Sequence, residues 1–280
     1  MPDYFEKPLN CWGEFIQKSL SLQHEWFHHD WVFRGQEQSK WSLRTRLERL
    51  LLESATPLAK APQLEKNMLR DFRRHYDGSD RDSVVQEMLY GLALMQHHFG
   101  RTRLLDFSYS PFVAAFFAFE PFERDGNGQE KEDKMRAIWA VNSEWCEREA
   151  KKVAPILQSR AGDRHRGART YLSHFDNTKD GGKGKAFVYP TNSFPLHERL
   201  IIQQGVFLCL GNVTVPFDCN LKALDGWNQS KHIVKYLLPA TERWTALTHL
   251  HRMSINRATM FPGLGGLSQS LEQRINIYLK

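Results

Sequence analysis

The chain has 280 residues, 41% of them hydrophobic, which is enough for one large domain or two small ones with a sizeable core. No apolar run approaches the roughly 20 residues that span a bilayer, and the start "MPDYFEKPLN" lacks a secretion-signal layout, so a cytoplasmic protein with no membrane association is expected. Cys11, Cys146, Cys209 and Cys219 form no CxxC pair, which argues against a structural zinc site or a disulfide framework. The net charge is +6, and the stretch from Lys151 to Lys185 alone carries a surplus of that size, with nine basic residues against three acidic ones.

In chain order, apolar spacing predicts a helix over 10–22 and then a short strand, "WVFRG". Three helices follow: "SLRTRLERLLLES" with Ser42 as N-cap, "QLEKNMLRDFRRHY", and "DSVVQEMLYGLALMQHHF". "RTRLLDF" reads as a strand, and "SPFVAAFFAFE" as a buried helix with Pro111 in its first turn. Residues 121–134 form a charged loop, and "MRAIWAVN" is a strand returning to the core. A basic, glycine-containing insertion occupies 151–185, and its Arg160, Arg164, Arg166 and Arg169 suit a phosphate backbone. "KAFVYP", "ERLIIQQGVFLCLG" and "HIVKYLLP" read as strands, and two helices around the loop "RATMFPGLGG" end the chain. The expected fold is a single α+β domain over 1–280, a small mixed or antiparallel sheet with N-terminal and C-terminal helices packed on it.

Polar residues cluster in three apolar stretches, "FRGQ", "MQHHFGRTRLLDFSYSP" and "HERLIIQQGVF". Buried polar groups without partners cost on the order of 1–3 kcal/mol each, so such clustering implies a shared site or a shared network. Arg34 is a fixed cation with five donors, and Gly35 permits close backbone approach. Gln96, His97 and His98 end a helix; Arg103 follows in the turn, where an ion pair with Asp106 would fix it; Asp106 and Ser108 share one face of a strand. Glu198, Gln203 and Gln204 border an apolar strand. Two other uses of these residues stand beside an enzyme site: a non-catalytic binding module with a buried polar network, and a metal-dependent nuclease built from His97, His98, Asp106 and Glu198. Adjacent histidines on a helix point about 100° apart, which disfavours the metal. No GxSxG elbow, GxxxxGK[ST] loop or GxGxxG turn is present.

"FRG" at 33–35, "MQHHFGRTRLLDFSYSPFVAAFFA" at 95–118, "RLIIQQGVFL" at 199–208 and "FPGLGGLSQSL" at 261–271 resemble the successive blocks of the FRG domain family, over about residues 25–275. The first three also resemble, more weakly, the mono-ADP-ribosyltransferase superfamily. That resemblance implies an ADP-ribosyltransferase-like fold and NAD as substrate, with Glu198 as catalytic carboxylate and Arg34, Gly35, Phe107, Ser108 and Tyr109 around NAD. Gln96, His97, Arg103, Asp106 and Gln204 would support them. Asp106-Phe107-Ser108 stands where the arginine-type transferases have Ser-x-Ser, and Leu196 where they carry a second glutamate. The latter points away from an arginine acceptor and, with the basic insertion, toward nucleic acid, as for a toxin or phage-defence effector with an inhibitory protein partner.

Overall fold

The computed structural model describes residues 4–22, 31–120, 135–158, 184–192 and 198–278, with side chains as far as 271. The charged loop 121–134 and the arginines at 160, 164, 166 and 169 lie outside the described residues. The chain runs β1 (Glu6–Pro8), α1 (Trp12–Ser21), β2 (Trp31–Gln36), α2 (Arg46–Glu53), α3 (Ala61–His75), α4 (Arg81–Gln86), α5 (Met88–His97), β3 (Leu104–Ser108) and α6 (Pro111–Phe119). It continues with β4 (Met135–Asn142), α7 (Ser143–Val153), β5 (Val188–Thr191), α8 (Glu198–Ile202), β6 (Gly205–Leu210), α9 (Phe217–Lys222), β7 (Ile233–Pro239), α10 (Arg243–Arg252), α11 (Arg257–Met260) and α12 (Leu264–Tyr278).

The expected class holds as a mixed α/β fold, but the sheet is larger than expected. Seven strands form one sheet in the order β1-β7-β4-β2-β3-β6-β5; the β1·β7 pair is parallel and the others antiparallel. Among the described residues, no helix is long and apolar enough to cross a membrane.

Alternation along β2 sorts the two faces of the sheet. Phe33 joins a cluster with Trp12, Phe15, Val113, Phe116, Ile138, Tyr236 and Leu250, which lies under α1, α6 and α10. Val32 joins the opposite cluster with Leu47, Leu51, Leu92, Trp139, Trp145 and Phe207, under α2, α5 and α7.

Three expectations need correction. Helix α2 begins at Arg46 and not near Ser42, because Thr45 takes the N-cap and accepts from the Glu48 amide at 3.1 Å. The long helix expected over 82–99 breaks at Glu87, whose backbone is extended at φ −111° and ψ 115°. The run "ERLIIQQGVFLCLG" is not one strand. Its first five residues form α8, Gln204 turns the chain at φ +48°, and only then does β6 begin.

Candidate functional site

The middle of the sheet is not fully zipped. Strands β2 and β3 pair only at Phe33↔Ser108. Beyond that point Arg34, Gly35 and Gln36 stay on β4, opposite Trp139, Ile138 and Ala137, while Asp106 and Phe107 stay on β6, opposite Phe207 and Val206. A cavity of about 790 Å³ opens here, within the roughly 300–1,000 Å³ range of ligand pockets. Its walls come from β2 and β3, the loop 37–42, α2, α5, α6 and the start of α8.

Arg34 bridges the seam. Its Nη1 donates to the backbone oxygen of Asp106 at 2.7 Å, while its Nε is shut from solvent with no hydrogen-bond partner. Burial pushes the guanidinium pKa down to about 10, against the opposing pull of Asp106. A buried donor with nothing to accept from it is costly. The Asp106 carboxylate is oriented from behind: the Gln96 side chain donates from Nε2 to Oδ1 at 2.9 Å, and the Thr102 hydroxyl donates to Gln96 Oε1. Arg46 and Arg49 from α2 and Arg199 from α8 complete a cationic wall. Arg49 and Arg199 are both pushed below the ordinary arginine range, chiefly by burial, and neighbouring arginines add to the effect.

The other anticipated residues divide. Arg34, Gly35, Gln96, His97, Asp106, Phe107 and Ser108 all line the cavity, but several are engaged in the fold. Arg34 and Gly35 face opposite sides of the sheet. A Cβ on Gly35 would strike the carbonyl oxygen of Ala114 at 1.9 Å, so its missing side chain is required by α6, and only its backbone fronts the cavity. The Ser108 hydroxyl donates to the Gln203 oxygen at 2.7 Å and accepts from the Ser110 amide at 3.0 Å. Phe107 is 4% exposed within the core. Tyr109, whose hydroxyl meets Asn192 at 3.3 Å, and Gln204 are not among the lining residues.

Arg103 does not pair with Asp106. It forms a buried ion pair with Glu65, donating from Nε at 2.7 Å and also from Nη2, while its amide donates to the same carboxylate at 3.1 Å. Glu198 stands on a helix and not a strand; its side chain is exposed and does not line the cavity. His97 lines the cavity while His98 is exposed, their rings edge to face at 4.9 Å. Among the described residues no three His, Cys, Asp or Glu side chains gather as metal ligands, so the nuclease grouping is not assembled there.

Sequence reasoning missed Arg46, Arg49 and Lys40. On sequence alone the first two are the polar face of an amphipathic helix, and the only hint was their i, i+3 spacing just after Arg44.

Comparison with protein-family models shows that the chain carries an FRG domain at residues 29–127, which includes β2, α2, α5, β3 and α6. The similar blocks at 199–208 and 261–271 fall outside the matched residues. No curated protein and no solved structure matches the chain.

Proposed function

We propose that this FRG-domain chain binds a phosphate-bearing nucleotide in the cleft between β2 and β3, and that the nucleotide is NAD, whose ADP-ribose it transfers. The observation that carries the reading is that Arg34, Arg46, Arg49 and Arg199 line one cavity together with Asp106. Guanidinium groups offer forked donors to phosphate oxygens, and out of water such contacts are strong.

In this reading the pyrophosphate lies on the arginines and the nicotinamide ribose lies against Asp106. The bond from the nicotinamide nitrogen to C1′ breaks, its electron pair leaving on the nitrogen. Positive charge develops at C1′, and the acceptor's nucleophile forms the new bond and releases its proton to water. A carboxylate near C1′ stabilises that charge. Asp106 replaces Glu198 in this role, because Asp106 lines the cavity with Oδ1 fixed by Gln96, whereas Glu198 is turned out to solvent. The wider ADP-ribosyltransferase-like fold and a role as toxin or phage-defence effector belong to the same proposal; an inhibitory partner would serve to block this cleft.

The experiment is calorimetric titration with NAD and assay of nicotinamide release. NAD binding is expected in the wild type and lost in Arg34→Gln; release is expected to fall in Asp106→Asn and persist in Glu198→Gln. Absence of both binding heat and nicotinamide release in the wild type would overturn the proposal. A second reading, binding without turnover, is favoured by the engagement of Ser108, Gln96 and Thr102 in internal hydrogen bonds. It predicts NAD heats with no release.

A further inference from the structure

The cleft carries more positive charge than one dinucleotide uses. Of its three carboxylates, Glu37 is paired with Arg136 at 3.3 Å and Glu53 with Arg101 at 3.1 Å. Arg44 is held by Glu48 at 3.7 Å. Among the described lining residues, Asp106 is then the one carboxylate outside these ion pairs, opposite Arg34, Lys40, Arg46, Arg49 and Arg199, although Glu53 also acts on Arg49. A single pyrophosphate leaves an excess, and a cleft lined by one sign of charge focuses its field and concentrates a ligand of the opposite sign.

A second observation lies beside the mouth. Phe99 is 68% exposed, and its backbone is left-handed at φ +66°, a conformation that costs a bulky residue on the order of 1–3 kcal/mol. The backbone that carries the ring is fixed: the Phe99 amide donates to the Gln96 backbone oxygen at 3.0 Å, and the next amide, of Gly100, donates to the Met95 backbone oxygen at 2.7 Å. Arg46 donates to the Phe99 carbonyl at 3.3 Å. The guanidinium groups of Arg46 and Arg199 each stand 5.8 Å from the Phe99 ring centre, and Arg199 also lies 4.6 Å from that of Phe261. Two phosphate-competent cations thus flank an exposed aromatic ring whose backbone is strained into place.

We propose that this rim, Arg46, Phe99 and Arg199 continued by Arg49 and Lys40, seats single-stranded nucleic acid. One base stacks on Phe99 and the adjoining phosphates lie on the arginines. Unstacked bases present π-faces to an aromatic side chain and duplex bases do not, which selects the single strand; an acidic polypeptide matches the charge but not the ring. The proposal rests on the transferase reading only in making the strand the acceptor, and the binding itself stands independently of NAD.

The test is fluorescence anisotropy with labelled single-stranded DNA and RNA of about ten nucleotides, against the matched duplex and polyglutamate as competitors. Single strands are expected to bind best, with affinity falling as salt rises. Phe99→Ala is expected to weaken binding by roughly tenfold or more, since stacking on an aromatic ring is worth that much per base. Arg49→Gln should weaken all sequences alike and lower the salt slope by about one. Phe99→Leu, which keeps an apolar side chain, should fail as Phe99→Ala does, and the thermal midpoint of each variant checks folding. Wild-type affinity in Phe99→Ala, or equal binding of duplex or polyglutamate, would overturn the proposal. NAD titrations on the wild-type protein keep the two ideas apart: NAD heats without single-strand binding sink only the rim, and single-strand binding without NAD heats sinks only the nucleotide cleft.

Discussion

Gly35 and Ala114 meet backbone to backbone. A Cβ built on Gly35 would lie 1.9 Å from the Ala114 oxygen and 2.6 Å from the Ala118 nitrogen, so β2 and α6 approach as closely as only glycine allows. Gly35→Ala must push the helix off the sheet. Overpacking costs about 1–3 kcal/mol, and contact with rigid backbone places this case at the upper end. Thermal unfolding should show a midpoint several degrees lower. An unchanged midpoint would mean that α6 slides freely on β2.

Arg103 and Glu65, both almost fully buried, tie the strand β3 entry to α3. Removing one partner strands a buried charge, so Glu65→Leu should cost about 3–5 kcal/mol in denaturant unfolding. The double change Glu65→Leu with Arg103→Met should recover most of that loss. A double variant as unstable as Glu65→Leu would mean that the pair is replaceable by nothing of its shape.

Arg34 offers a separation of stability from binding. Arg34→Met keeps the apolar stem and removes a buried charge whose Nε has no partner, so the thermal midpoint should move by no more than a few degrees. Affinity for NAD should fall by about tenfold or more. A large fall in the midpoint would instead mark Arg34 as a structural tie between β2 and β3.

Alkaline pH should unfold the protein through its tyrosines. Asp80 accepts from the hydroxyls of Tyr76 and Tyr90. The hydrogen bond to Asp80 pushes the Tyr76 pKa up to about 12, burial raises that of Tyr90, and burial takes Tyr236 to about 12. An unfolded tyrosine titrates near 10. Above that pH the unfolded chain loses protons that the folded chain keeps, so this stabilisation is complete below about pH 10 and drains away as pH rises toward 12. Urea midpoints measured from pH 9 to 12 should fall, less steeply in Tyr90→Phe. A flat profile would show that these hydroxyls titrate normally.

Much of the fold is readable residue by residue. "MRAIWAVN" announces β4 by its β-branched and aromatic run, and "SPFVAAFFAFE" announces α6 by Ser110 as N-cap and Pro111 behind it. The segment 198–210 misleads because a short apolar run has the same composition in helix and strand, and the turn between them rests on Gln204 in a left-handed backbone that no proline or glycine signals ahead of it. In the site, Arg34, Gln96 and Asp106 stand out as polar groups within apolar segments. Arg49 does not, since a solvent-facing arginine on a helix reads the same whether or not the sheet opposite has parted. Likewise, nothing local to Arg103 points to Glu65, 38 residues earlier, rather than to nearby Asp106.

The lone Phe33↔Ser108 pair divides the sheet into two leaves, β1-β7-β4-β2 and β3-β6-β5. Helix α6 lies against β2, β4 and β3 and so straps both leaves on one face. The opening between them lies on the Arg34 side of this strap, which gives the molecule a hinge whose pin is one strand pair and whose spine is a helix. Amide hydrogen exchange would register its breathing at Phe33 and Ser108 before the rest of either leaf, and a ligand drawn across the gap would slow that exchange by clamping two otherwise independently zipped ladders.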